Sequence, residues 1–172
     1  FNFAATLRWN HLFSNRLFSN ATLYTGNYDY SLLTGDVEWN SRITNLSFKY
    51  DFSFYARPDF TLKFGLAQTL HSINPGNLIA EEPNPFLPEV PQAFAGKTAL
   101  YLSWDHDISE RFSWKAGFRV PIWVNNGPTT IYQYDTNYMV KDTVVFQKDE
   151  DVKSYITFDP RISLKYKPGK ST

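Results

Sequence analysis

The stretch ISERFSWKAGFRVPIW, residues 108–123, decides the reading of the chain. From Phe112 to Ile122 every second residue is apolar: Phe112, Trp114, Ala116, Phe118, Val120 and Ile122. Between them lie Ser113, Lys115, Gly117, Arg119 and Pro121. A period of two describes a β-strand with one apolar and one polar face. In a soluble protein the apolar face meets a core. In an outer-membrane barrel it meets lipid, and the polar face lines a wet lumen. Burying unpaired Lys115 and Arg119 in a dry interior would cost several kcal/mol each, so their face is wet on either reading.

The same pattern recurs along the chain. Seven strand-like runs lie at roughly 1–13, 17–28, 42–55, 60–73, 96–108, 112–124 and 154–167, and no stretch keeps a helical period. The fold class expected is all-β, with antiparallel up-and-down strands. Short connections at 14–16, 56–59 and 109–111 alternate with long ones at 29–41, 74–95 and 125–153. That alternation, and runs longer than the ~5–6 residues of soluble strands, suit a transmembrane barrel with short turns on one side and long loops on the other. Aromatics make up 18% of the 172 residues. They fall near the short turns (Trp9, Phe13, Phe54, Tyr55, Phe60, Phe112, Trp114, Tyr166) and near the long loops (Tyr24, Tyr28, Tyr30, Trp39, Trp123, Tyr155), as two interfacial belts would. A mean hydropathy of −0.40 does not oppose this, because alternating strands average out.

Formal net charge is zero, which removes any charge argument for nucleic-acid binding, and cysteine is absent. DHD at 105–107 splits across two faces, His11 and His71 sit on separate runs, and neither a nucleophile elbow nor a phosphate-binding glycine loop is present. No enzyme, cofactor or metal is therefore expected. The expected lumen-facing residues are Lys49, Asp51, Lys63, Lys115, Arg119, Asp159 and Arg161, with His71, Asp105 and Lys165 on the same side. Most of them would solvate the wall. Pro160 is expected at a bulge or at the start of its strand. The segment 74–95 holds five of the ten prolines and reads as an extended excursion, whereas 128–148 reads as a β-hairpin above the membrane that extends the sixth and seventh strands. In that hairpin Tyr132, Tyr134, Tyr138 and Phe146 are candidates for stacking on a ligand or for holding the loop together.

YITFDPRISLKYK at 155–167 resembles a strand common in TonB-dependent outer-membrane receptors, often EPR followed by alternating apolar residues, with Asp159 standing in place of Glu. LYLSWDHDISERFSWKAGFR at 100–119 resembles the recurring hairpin of those barrels, Gly117, Phe118 and Arg119 filling its last three places, and residues 7–30 resemble another. The resemblance implies a Gram-negative outer-membrane importer: a 22-stranded barrel with an N-terminal plug, energised through TonB and taking up a scarce siderophore, glycan, peptide or cobalamin. It implies outer-membrane lipid, the protein's own plug and TonB, and a small nutrient ligand as partners. Both ends open or close inside strand and turn patterns, so residues 1–172 are expected to be an internal segment of such a barrel domain. The alternatives are a passive or structural outer-membrane barrel without a plug, and a soluble β-sandwich used for binding or adhesion.

Overall fold

The computed structural model describes residues 2–35, 37–80 and 90–168, the side chains of 77–80 excepted. Ten strands follow in chain order: β1 (Phe3–Ser14), β2 (Leu17–Thr34), β3 (Val37–Arg57), β4 (Phe60–Ala80), β5 (Ala93–Asp107), β6 (Phe112–Asn126), β7 (Thr129–Tyr134), β8 (Val140–Phe146), β9 (Asp151–Ile156) and β10 (Asp159–Tyr166). Strands β1 to β6 form an antiparallel meander in which each pairs with the next, and β10 and β9 both pair with β6. The fold is all-β and antiparallel up-and-down, an eight-stranded sheet, with β7 and β8 forming a separate two-stranded sheet.

Local chemistry sets the short turns. Ser14 Oγ accepts from the N–H groups of Arg16 and Leu17, and Ser109 Oγ accepts from those of Arg111 and Phe112. The same hydroxyl device thus closes two of the three short turns that the sequence marks. The connection expected to be long at 29–41 is not a loop. β2 and β3 stay paired from Leu17↔Phe54 up to Thr34↔Val37, and Gly35 (φ 61°) takes the left-handed conformation beside that last pair. Residues 74–80, expected in the proline-rich excursion, continue β4 opposite β3, with the register slipping between Asn40 and Arg42 beside Pro75 and Gly76. The rest of that segment falls largely on 81–89, outside the described residues.

The expected seventh run is two strands, and Pro121 explains the break. Thr157 N–H donates to the Pro121 carbonyl, but proline has no N–H with which to complete the reciprocal bond. β9 ends at Ile156, opposite Ile122, and β10 resumes at Asp159, opposite Arg119. Pro160 is the second residue of β10, at the strand's start as expected.

The sheet is a single layer. Among the described residues only Ala95 and Ala99 are buried hydrophobics. Leu100, in the middle of the sheet, is 56% exposed. Among the described residues no second layer of secondary structure covers either face, so hydrophobic packing here is between neighbours on one face rather than around a core.

Candidate functional site

Register assigns every side chain to a face. One face carries, row by row across the sheet, Ser19–Phe52–Phe64–Leu102–Phe118, then Ala21–Tyr50–Leu66–Leu100–Val120. Phe52 and Phe64 stack at 5.1 Å, and Phe13 stacks on Phe52 from β1. Ser19, fully covered on this apolar face, donates to the His11 carbonyl. Towards the short turns the same face carries Trp9, Phe54, Phe60, Trp104, Phe112, Trp114 and Tyr166.

The other face is polar over the same stretch. Its rows are Asn20–Asp51–Gly65–Tyr101–Arg119–Asp159, Ser53–Lys63–Ser103–Gly117–Arg161 and Tyr55–Thr61–Asp105–Lys115–Ser163. All seven residues expected to face a lumen, Lys49, Asp51, Lys63, Lys115, Arg119, Asp159 and Arg161, lie on this one face, as do His71, Asp105 and Lys165. Ion pairs knit them together. Lys49 Nζ sits 2.8 Å from Asp51, while Lys63 and Lys115 share Asp105 at 3.0 and 3.2 Å. Tyr101 lies across β4 and donates its hydroxyl to Asp51, with Lys49 Nζ 5.7 Å from its ring centre. That reach is possible because Gly65 stands between them: a Cβ there would be 2.4 Å from the Tyr101 hydroxyl. These pairs are partly solvated, so their individual worth is about 1 kcal/mol or less; they chiefly order the side chains of this face.

The polarity of both faces inverts along the strands. Beyond Leu46 and Leu70 the apolar face becomes polar: Asn27, Thr44 and Ser72 share one row, and Asp29, Arg42 and Asn74 the next. Arg42 and Asp29 form an ion pair, and a concavity of about 730 Å³ opens over these residues. On the opposite face at that level stand Tyr24, Tyr28, Tyr30, Trp39, Trp123 and Tyr155. His71 stacks on Trp123 at 5.4 Å and bonds Asn45 through Nδ1. This corrects the expected upper aromatic belt. Its six members share a face with one another, and it is the face opposite the lower belt; only Tyr55 of the lower group joins them. Level along a strand is readable from the distance to a turn, but the face depends on parity, and the parity of all six is that of Lys49 and Arg119.

The hairpin at 128–148 exists as β7 and β8, yet it does not extend β6 into the main sheet; a cis Gly127–Pro128 bond precedes it. Tyr132 and Tyr134 share one of its faces, Phe146 lies opposite Thr129 on the other, and Tyr138, 88% exposed with φ 60°, sits at the tip. The four aromatics therefore form no common stacking platform. Of the DHD residues, Asp105 is held by its two lysines, and His106 lies on the apolar face between Phe60 and Trp114, 3.4 Å from Asp59. Among the described residues no group of three metal-ligating side chains is gathered.

No protein-family model, curated protein or solved structure matches the chain. The reading of its function therefore rests on the two faces and on the residues that form them.

Proposed function

We propose that the chain forms part of the wall of a TonB-dependent outer-membrane receptor of a Gram-negative bacterium, a transporter for a scarce nutrient. The observation that carries this is an exposed, predominantly apolar face that spans six strands, broken only by polar residues such as Gln68 and Thr98 and bounded by a polar upper margin, on a sheet with no second layer among the described residues. A soluble sandwich would bury that face against another sheet. Lipid covers it without one.

Dimensions agree. From Phe60 to Leu70 this face of β4, apolar at every place but Gln68, runs for ten residue steps, roughly 34 Å at about 3.4 Å per step. Tilted by ~40°, that is roughly 26 Å of height, against ~25 Å for the apolar band of such barrels. Above the band the strands continue, and their outward face turns to Asp29, Arg42 and Asn74, as a surface entering water must. On this placement the polar face looks into the barrel, and Tyr24, Tyr28, Trp39 and Trp123 line its upper, external mouth. What favours a TonB-dependent receptor over a passive barrel is the likeness of residues 100–119 and 155–167 to that family's hairpin and strand.

Fractionation of the source bacterium, followed by formaldehyde cross-linking, tests both parts of the proposal. The protein is expected in the outer membrane and in a covalent adduct with TonB. Recovery in a soluble fraction would overturn the membrane placement. Recovery in the outer membrane with no TonB adduct would overturn the receptor assignment and leave a passive barrel.

A further inference from the structure

The polar face holds a cationic concavity that the wall's own ion pairs do not account for. It has a volume of about 850 Å³ and is lined by Lys49, Lys115, Arg119 and Arg161, with the hydroxyls of Tyr101 and Ser103 among its polar groups and no carboxylate in its lining. Register explains both the depth and the charge. The row Lys63–Ser103–Gly117–Arg161 places a serine and a glycine in the middle of the sheet, with Ala67 and Ala99 nearby. Ala67, Ser103 and Gly117 make the floor, and the long cations from β3, β6 and β10 rise around it. At Gly117 a Cβ would lie 2.6 Å from the Leu102 carbonyl and 2.7 Å from Ser103 Cβ, so the floor can hold no larger residue there without moving β5 from β6.

The four cations are not equivalent. Lys49 has Asp51, and Lys115 has Asp105. Among the described residues Arg119 and Arg161 have no ion pair, although Asp159 stands directly opposite Arg119 in the ladder; Asp159 instead accepts from the Thr157 hydroxyl. Arg119 Nε is buried with no acceptor among the described residues. A buried guanidinium N–H without an acceptor is costly, and guanidinium geometry matches oxyanions better than any other acceptor. Lys115 shares its one carboxylate with Lys63, and the two arginines carry no ion pair among the described residues, so the lining, with four cations and no carboxylate, is net positive.

We infer that this concavity is a binding site for a small multivalent oxyanion, a phosphate or a polycarboxylate, held chiefly by Arg119 and Arg161. The site stands on this face of the sheet whether that face looks into a barrel or into bulk water, so it does not rest on the transporter reading.

Isothermal titration calorimetry of the purified full protein in a non-ionic detergent at low salt tests it with two probes, inorganic phosphate and citrate. Saturable binding of at least one is expected, with the tighter of the two identifying the compact or the polycarboxylate class. Arg161→Gln, on the outermost strand, is expected to weaken binding by roughly tenfold or more, whereas Lys165→Gln, a cation of the same face and strand outside the concavity, changes it less than about twofold. Arg119→Gln gives a second reading from a different strand, each variant being checked for native far-UV circular dichroism. The inference is overturned if neither anion gives a saturable heat up to about 10 mM. It is equally overturned if Lys165→Gln weakens binding as much as Arg161→Gln, which would reduce the effect to diffuse surface charge. Failure of the transporter reading would leave these titrations unchanged.

Discussion

Leu66→Arg is expected to lower the stability of the chain in phospholipid bilayers by about 2–4 kcal/mol, a loss of roughly 30- to 1000-fold in the folded-to-unfolded ratio. Leu66 stands in the middle of the apolar face, between Tyr50 on β3 and Leu100 on β5, well inside the band bounded by Phe60 and Leu70. On the proposed placement in the membrane, arginine there puts a guanidinium at mid-depth in hydrocarbon, with a side chain too short to bring all five donors to water on either side. Thr69→Arg is the companion. Thr69 lies on the polar face between Ser47 and Lys97, where an added cation remains hydrated, and the expected cost is below about 1 kcal/mol. Urea unfolding in bilayers, followed by tryptophan fluorescence, reads both. A soluble sheet exposing its apolar face to water would show no such asymmetry, because arginine at Leu66 would then be well solvated.

Gly65→Ala carries the second large expected effect, again about 2–4 kcal/mol, for a steric reason. A Cβ at this position would lie 2.4 Å from both the Tyr101 hydroxyl and the Tyr50 carbonyl. The tyrosine could swing away, but it would abandon Asp51, a hydrogen bond to a charged acceptor worth about 1.5–3 kcal/mol. The Tyr50 carbonyl belongs to the backbone of β3, so relieving that clash means separating two paired strands. Gly96→Ala is the matched control. Its added Cβ would meet only Leu70 Cδ2, at 3.8 Å, and the expected change is within about 0.5 kcal/mol. The same denaturant titration measures both. Equal effects at the two glycines would show that general strand propensity, and not the Tyr101 crossing, governs the cost.

The strands were legible in the sequence because their alternation is nearly unbroken, and so was the polar face: parity within each run places Lys49, Asp51, Lys63, Lys115, Arg119, Asp159 and Arg161 together once the strands pair in simple order. What alternation could not show was where pairing stops. Residues 28–42 place Asp29, Ser31, Glu38, Asn40 and Arg42 on one face and Tyr28, Tyr30 and Trp39 on the other, so the pattern inverts there without ending, and an inverted pattern reads as a loop when only the lower strand is used as the template. The upper aromatics were misplaced for the same reason. The split of the last run was written in Pro121, but only the cross-strand pairing of Pro121 with Thr157 reveals that its missing N–H falls on that ladder. The cationic concavity lay further from view. Its lining comes from β3, β4, β5, β6 and β10, and its depth comes from Ser103 and Gly117 lying in one row, which no single run displays.

The account turns on which face meets lipid, and the absence of cysteine from the chain makes a direct measurement simple. Single cysteines at Leu66, Leu100, Ser103 and Arg42, each spin-labelled in reconstituted bilayers, would be compared for collision with molecular oxygen, which concentrates in hydrocarbon, and with a water-soluble nickel chelate. Labels at Leu66 and Leu100 are predicted to collide with oxygen and to be shielded from nickel. Labels at Ser103 and at Arg42 are predicted to meet nickel, the first inside the wall and the second above the band. Nickel reaching Leu66 and Leu100 as freely as Ser103 would contradict the account.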